Sequence, residues 1–199
     1  MTSIRIVGSG GHARVARDIA NLMGYIYGGY YDDHGSNVSN DPSYCGPTTD
    51  LDPGYPTHCA IGDNATRKRI VEANPQVTWV TLIHPRAVVA SDSIIGLGCL
   101  IGPCAVVQPG VKIGSCTIIN TGAIIEHDCQ IGSFSHIAPS TTLCGTITIG
   151  DSVFIGAASV VIPRIVIGNL VIVGANATII KNLEDGAKIV GVMRSIEKN

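Results

Sequence analysis

The stretch from Val111 to Leu143, VKIGSCTIINTGAIIEHDCQIGSFSHIAPSTTL, decides how this chain is built. Within it Ile113, Ile119, Ile125, Ile131, Ile137 and Leu143 recur at every sixth position. The series begins at Val89, passes through Ile95, Ile101 and Val107, and continues beyond Leu143 through Ile149, Ile155, Val161, Ile167, Val173 and Ile179 without gap or insertion. A helix repeats its apolar residues about every 3.6 positions and a strand every second one, so neither alone sustains this period. Each hexapeptide therefore reads as one short strand and a turn, three of which close a triangular coil. At about 18 residues per coil the run makes about five coils. The residue after the ladder is often glycine, as at Gly96, Gly102, Gly114, Gly132, Gly150, Gly156 and Gly168, and glycine is expected to supply the backbone freedom of the corners. The fourth residue after the ladder is small or aliphatic, as at Ala105, Thr117, Ala123, Cys129, Ser135 and Ser159, which defines a second inward position.

Outside this run the bulk properties exclude several classes. The chain has 199 residues, of which 45% are hydrophobic and 14% charged, with a formal net charge of -2, so no basic field exists for nucleic acid or an acidic membrane surface. Gly, Ser, Asn or Pro interrupts every apolar run before it reaches membrane-spanning length, and no membrane insertion is expected. The opening MTSIRIVGSGGHARVARDIA lacks the order of a signal peptide and reads as cytoplasmic. Seven cysteines without a CxxC pair fit packed, reduced thiols rather than a disulfide framework or a zinc site.

Residues 1–82 carry a different pattern, and we read them as a small α/β unit ahead of a prism spanning 83–199. Ile4 to Val7 forms a strand that turns through Gly8, Gly10, Gly11 and His12 into a helix marked by Val15, Ile19 and Leu22. Glycines at such a turn let a phosphate approach the backbone, and the helix N-terminus adds unpaired N–H groups and a positive dipole end. A second strand near Tyr25 to Tyr31 leads to Asp32 and Asp33, at the distance where an acid meets a ribose hydroxyl. Cys59 to Asn64, including Gly62, reads as a further strand and loop before a helix over 65–73, with His84-Pro85 as the linker. The length of this unit suits a mononucleotide or nucleotide sugar better than a dinucleotide.

Within the prism region few ionisable side chains occur, and Glu126, His127, Asp128 and His136 stand out. His127 lies two positions after a ladder residue, facing outward between two acids, where an imidazole suits proton removal from an attacking amine. A solvated turn histidine has the same signature.

The hexad pattern resembles the hexapeptide-repeat acyltransferases. Gly8 to His12, Asp32-Asp33, Ile61-Gly62-Asp63-Asn64, Asn120 with His127-Asp128, and His136 follow one another as in the sialic-acid O-acetyltransferase-like branch, most similarly the bacterial UDP-4-amino-sugar N-acetyltransferases. The resemblance implies a mainly β fold, a left-handed parallel β-helix behind a small Rossmann-like domain. It also implies a homotrimer with sites between subunits, acetyl-CoA as co-substrate, no metal, and a UDP- or dTDP-linked amino sugar as acceptor. Carried onto this chain, His127 is the general base, Asp128 its orienting partner and Asn120 a positioning group. His136 meets the acetyl-CoA side, a Gly145 N–H stabilises the oxyanion, and Ala157 and Gly174 line the pantetheine arm. Gly10, Gly11, His12, Asp32, Asp33, Gly62 and Asn64 hold the nucleotide sugar. Gly145 reads equally as a plain corner glycine. Lys181, Lys188 and Arg194 would meet CoA phosphates or form a solvated face, and Gly191-Val-Met-Arg194 departs from the Gly-Val-Pro-Ala of the family.

Three other readings remain at this level. Sugar or sialic acid O-acetylation would use the same base. A γ-type carbonic anhydrase shares the prism, but its paired ligand histidines are five apart, whereas His127 and His136 are nine apart. A nucleotide-sugar sensor would bind without turnover.

Overall fold

The computed structural model describes residues 2–34 and 41–191. In the N-terminal unit β1 (Ser3–Val7), β2 (Ile26–Tyr31), β3 (Tyr44–Gly46) and β4 (Thr57–Cys59) form a parallel sheet in the order β3-β2-β1-β4. Helix α1 (Gly11–Leu22) connects β1 to β2, and α2 (Asn64–Ala73) follows β4. The face that α1 buries is not the one its large apolar residues suggest. Ala13, Ala16, Ile19 and Ala20 are buried, whereas Val15 and Leu22 are exposed. Small side chains let this helix approach its neighbours closely.

From Leu82 onward the chain winds into a left-handed parallel β-helix, against the right-handed habit of parallel crossovers. Its two-residue strands stack into faces of seven, six and five strands, about six coils in all. The register advances by one coil per strand, as in Ile118↔His136 and Ile119↔Ile137. The last coil is shorter: Val173 pairs with Ile189 and Ile167 bridges to Leu183. The extra coil beyond the expected five comes from strands at the ends of the ladder: Leu82–Ile83, one hexad before Val89, and Lys188–Ile189, which falls outside the six-residue spacing. His84, suggested as a linker, is already in the prism, its N–H donating to Ile101 O at 2.9 Å.

The ladder residues fill the interior, with Ile101, Ile119, Ile125, Ile137 and Ile155 fully buried. Each such side chain contributes about 1.5–3 kcal/mol by leaving water. The second inward position satisfies its own polar groups. Thr117, Ser135, Thr141 and Ser159 hydroxyls donate to the carbonyls of Gly132, Gly150, Gly156 and Gly174, in each case on the next coil.

The corners overturn the expected role of glycine. The left-handed residue is the third after the ladder, and eleven of these positions carry side chains, among them Cys104, Asp128, Phe134, Ser140 and Ala158. Each costs about 1 kcal/mol of backbone strain. Backbone N–H groups there bond to the preceding coil, as Asp128 to Pro109 O (3.1 Å) and Phe134 to Ser115 O (2.9 Å). Glycine directly after the ladder answers a different need, close stacking: a Cβ on Gly102 would lie 2.8 Å from Thr121 N of the next coil.

On the seven-stranded face the outward residues Leu82, Leu100 and Ile118 are buried beneath Ile4, Ile6, Ala13, Ala16 and Ile19. The N-terminal unit thus sits on the first coils of one face and leaves His136, Phe154 and Ile172 at its edge.

Candidate active site

His127 occupies the corner that follows the six-stranded face. Its Nδ1 lies 2.9 Å from Asp128 Oδ2, and Asp128 holds that position with φ 61°. A carboxylate accepting from Nδ1–H leaves the lone pair on Nε2, the nitrogen a general base requires. The ring lies against Gly145 of the next coil, where a Cβ would come within 2.6 Å of Nε2. Gly145 is therefore glycine because the imidazole occupies its side-chain space. Its neighbours Cys144 and Thr146 donate their N–H groups to Val161 O and His127 O, while among the described residues Gly145 N–H donates to nothing. The equivalent N–H groups of Ser133, Asp151 and Asn169 are capped by Asp151, Asn169 and Asp185 side chains, whereas among the described residues those of Leu97, Ser115 and Ala157 are open like that of Gly145 but have no histidine against them. An uncapped donor beside a histidine is what an oxyanion needs.

The second group lies at the corner preceding the six-stranded face. Asn120 Nδ2 faces His136 Nε2 at 3.1 Å, and Asn120 Oδ1 accepts from Thr121 N at 2.7 Å. His136 Nδ1 faces Gly62 O at 3.2 Å, its ring edge-on to Phe154 and 6.2 Å from His12. These partners define the neutral Nδ1–H form. Burial holds the His12 and His136 imidazoles down to about 4; the Arg67 charge adds to this at both, while at His136 the bond to Gly62 O opposes it. Within one chain no hydrogen bond among the described residues joins this group to His127. Gly174 repeats the Asn120 position three coils on, with Ala138 and Gly156 between, and Ala157 follows Gly156 at its corner. That column carries no side chain beyond Cβ past Asn120, which suits a slender acyl-carrying arm.

In the N-terminal unit a cavity of about 360 Å³ opens beside the β1–α1 turn, lined by Gly8, Ser9, Arg14, Arg17, Tyr27 and Tyr30. Gly10 and Gly11 are exposed at its edge, and Gly10 caps α1 with no side-chain bond. His12 turns away from it toward His136. Asp32 accepts from Ser9 Oγ (2.6 Å) and His34 N (2.9 Å). Burial pushes its carboxyl up, but these donors prevail and hold it below the ordinary range. Asp33 is engaged by Thr48 N and Oγ1 at 2.7 and 3.0 Å. Asn64 is engaged in docking, Nδ2 donating to Val153 O (3.0 Å) and Oδ1 accepting from Arg67 (2.7 Å).

Sequence reasoning missed Arg67, His58, Arg14 and Arg17. Arg67 has no exposed surface, and the one signal was its place three residues before the buried Ile70 on a single helix face. His58 is buried in β4 with Nδ1 on Val80 O at 2.9 Å. Lys181 and Lys188 are exposed, and Arg194, like 192–193 of the departing segment, lies outside the described residues. All seven cysteines are free, and burial pushes Cys59 and Cys99 up to about 12. Among the described residues no three His, Cys, Asp or Glu side chains cluster to hold a metal, and no helix is long and apolar enough to cross a membrane.

Two family models match the chain, the PglD N-terminal domain over residues 3–73 and the bacterial transferase hexapeptide (six repeats) over 146–181. UDP-N-acetylbacillosamine N-acetyltransferase of Bacillus subtilis is 34% identical over 108 residues, which cover 49% of this chain and 50% of that relative. The chain thus spans about half the length of this curated relative. The acetyltransferase domain of PglB from Neisseria gonorrhoeae superposes with a TM-score of 0.87 at 31% identity, covering 94% of this chain and 96% of that one. A histidine-to-asparagine variant of perosamine N-acetyltransferase from Caulobacter crescentus, solved with CoA and GDP-perosamine, gives 0.88 at 28% identity, covering 96% and 94%. With the fold matched nearly end to end and both halves recognised separately, the chain belongs to the hexapeptide-repeat acyltransferases that carry a PglD-type N-terminal domain.

Proposed function

We propose that the protein transfers an acetyl group from acetyl-CoA to the amine of a nucleotide-linked amino sugar. The observation that carries this is the His127–Gly145 pair: a base oriented by Asp128, resting on a glycine whose N–H is unused. In the reaction the amine nitrogen bonds to the thioester carbonyl carbon while His127 Nε2 takes its proton. Gly145 N–H bonds the oxyanion, the C–S bond breaks, and the thiolate leaves with a proton returned from His127. No covalent enzyme intermediate is needed.

Asn120, His136 and the nucleotide cavity flank a different corner from His127, so the site is completed between copies, and we infer a homotrimer with three such sites. The nucleotide would enter through the β1–α1 turn, where Arg14, Arg17 and the open end of α1 suit a diphosphate, while Asp32, in the adjoining smaller cavity across Ser9, suits a ribose hydroxyl. The bare column from Asn120 to Gly174 would take the pantetheine. Free thiols and an acetyl-CoA requirement favour the cytoplasm.

The test is thiol release from acetyl-CoA with UDP-, dTDP- and GDP-linked amino sugars, with sialic acids as hydroxyl acceptors in parallel. Turnover on one amino sugar supports the proposal. Turnover on hydroxyl acceptors alone would replace it with O-acetylation, and tight binding without turnover would make the protein a sensor.

A further inference from the structure

Arg67 is a fully buried cation with no carboxylate within 4 Å among the described residues. Six neutral oxygens hold it instead. Nε donates to Cys116 O (2.8 Å), Nη1 to Ile61 O (2.8 Å) and Gly62 O (3.2 Å), and Nη2 to Asn64 Oδ1 (2.7 Å), Phe134 O (2.8 Å) and Ser135 O (3.2 Å). Two of these belong to the loop before α2, one to the first residue of α2, and three to two successive coils of the prism. Burying a charge without a counter-ion costs several kcal/mol, and the fork offsets this by donating to the carbonyls of Cys116, Ile61 and Phe134, which an apolar side chain would leave without that donor. The fork also serves something beyond docking.

The shared atom shows what. Gly62 O, held by Nη1 of Arg67, is also the acceptor of His136 Nδ1, and His136 Nε2 in turn receives Asn120 Nδ2. A protonated His136 would place an N–H against the amide N–H₂ of Asn120 and expel it. The groups facing His136 are Arg67 from α2 and His12 from α1, with His58 of β4 behind His12, so none supplies a negative charge that would favour the imidazolium.

We propose that Arg67 is a positioning residue of the site: by fixing the Gly62 carbonyl and excluding a second positive charge, it locks His136 in the neutral Nδ1–H form that orients Asn120. The link from Arg67 through Gly62 and His136 to Asn120 carries the docking of the N-terminal unit to the corner column. Its catalytic consequence rests on the acetyl-transfer reading above, but its chemistry does not.

The experiment uses the full chain with isotope-labelled histidine, His136 assigned by His136→Asn, and follows ring nitrogen and carbon shifts against pH in the wild type, Arg67→Gln and Arg67→Lys. In the wild type His136 is expected to show the Nδ1–H tautomer and no titration above pH 5. An Nε2–H tautomer, or titration between pH 6 and 7, overturns the proposal whether or not either variant folds. In Arg67→Gln the proton affinity of His136 should rise at least tenfold, and in Arg67→Lys, which keeps the charge, by less than about threefold. Folded Arg67→Gln with unmoved His136 overturns the proposal. So does a moved His136 with kcat/KM and its acid limb unchanged on a substrate the wild type acetylates. Absence of turnover on every sugar would sink the acetyl-transfer reading and leave the His136 result standing.

Discussion

The imidazole of His127 lies over the α-carbon of Gly145 so closely that a methyl group there would meet Nε2 at 2.6 Å. Gly145 shows no left-handed φ, so alanine is allowed by the backbone and excluded only by the histidine. Gly145→Ala should therefore fold normally and displace the ring, lowering kcat by about 10- to 100-fold. In a His127→Ala background the same substitution should cost less than about threefold, because the ring it displaces is gone. Equal losses in both backgrounds would show that Gly145 acts independently of the base.

His127→Ala itself should reduce kcat/KM by about 100-fold or more while leaving the melting temperature and nucleotide-sugar affinity unchanged. The exposed ring carries little packing. Asp128→Asn should cost less than His127→Ala, since it alters the orientation and proton position of the ring rather than removing the base. Steady-state kinetics on both variants check the order.

Asp32 is held in place by Ser9 Oγ at 2.6 Å and lines a small cavity that shares Gly8 with the one holding Arg14 and Arg17. Asp32→Asn should weaken nucleotide-sugar binding by about tenfold without changing KM for acetyl-CoA, measured by calorimetry and kinetics together. An equal effect on both substrates would mean that Asp32 supports the fold rather than the nucleotide.

Stability should fall in acid for a stated reason. His12, His58 and His136 have folded pKa values near 4, each through burial first, against about 6.5 in an unfolded chain. Between these values the unfolded state binds more protons, so stability is complete above pH 6.5, declines as pH falls toward 4 and levels off below that. Fully buried His58 alone contributes on the order of 3 kcal/mol over this window. Urea unfolding at pH 7.5, 5.5 and 4.5 should show this fall, and a flat profile would mean the histidines titrate normally.

Ile137 lies in mid-prism with no exposed surface, paired to Ile119 and Ile155. Ile137→Ala should cost about 2–5 kcal/mol, because stacked coils on both sides hold the cavity open. Chemical denaturation reads the loss directly.

The solenoid was readable from Ile113 through Leu143 because every hexapeptide repeats the same local problem: one ladder residue in, one small residue in, one corner. Residues such as Thr117 and Cys129 announced the second inward position by size alone. His127, Asp128, Asn120 and His136 were likewise visible as unusual side chains on a bland repeat. Their partners were not. Sequence periodicity reports which way a residue points within its own coil, but the neighbour across a coil or from another unit depends on how the pieces stack. That is why Gly145 was indistinguishable from an ordinary corner glycine, and why the corner freedom expected of the glycine after the ladder falls instead on the third residue, Asp128, Phe134 and Ser140 as well as Gly98, Gly110 and Gly122. It is also why Arg67 escaped notice: a polar residue on a short helix reads as solvated until the N-terminal unit docks on the prism. Docking removes water from the guanidinium and leaves the carbonyls of Cys116, Phe134 and Ser135 as its solvent. Local pattern therefore set the repeat and the candidate base, whereas long-range packing alone decided which oxygen, ring or α-carbon each of these groups would meet.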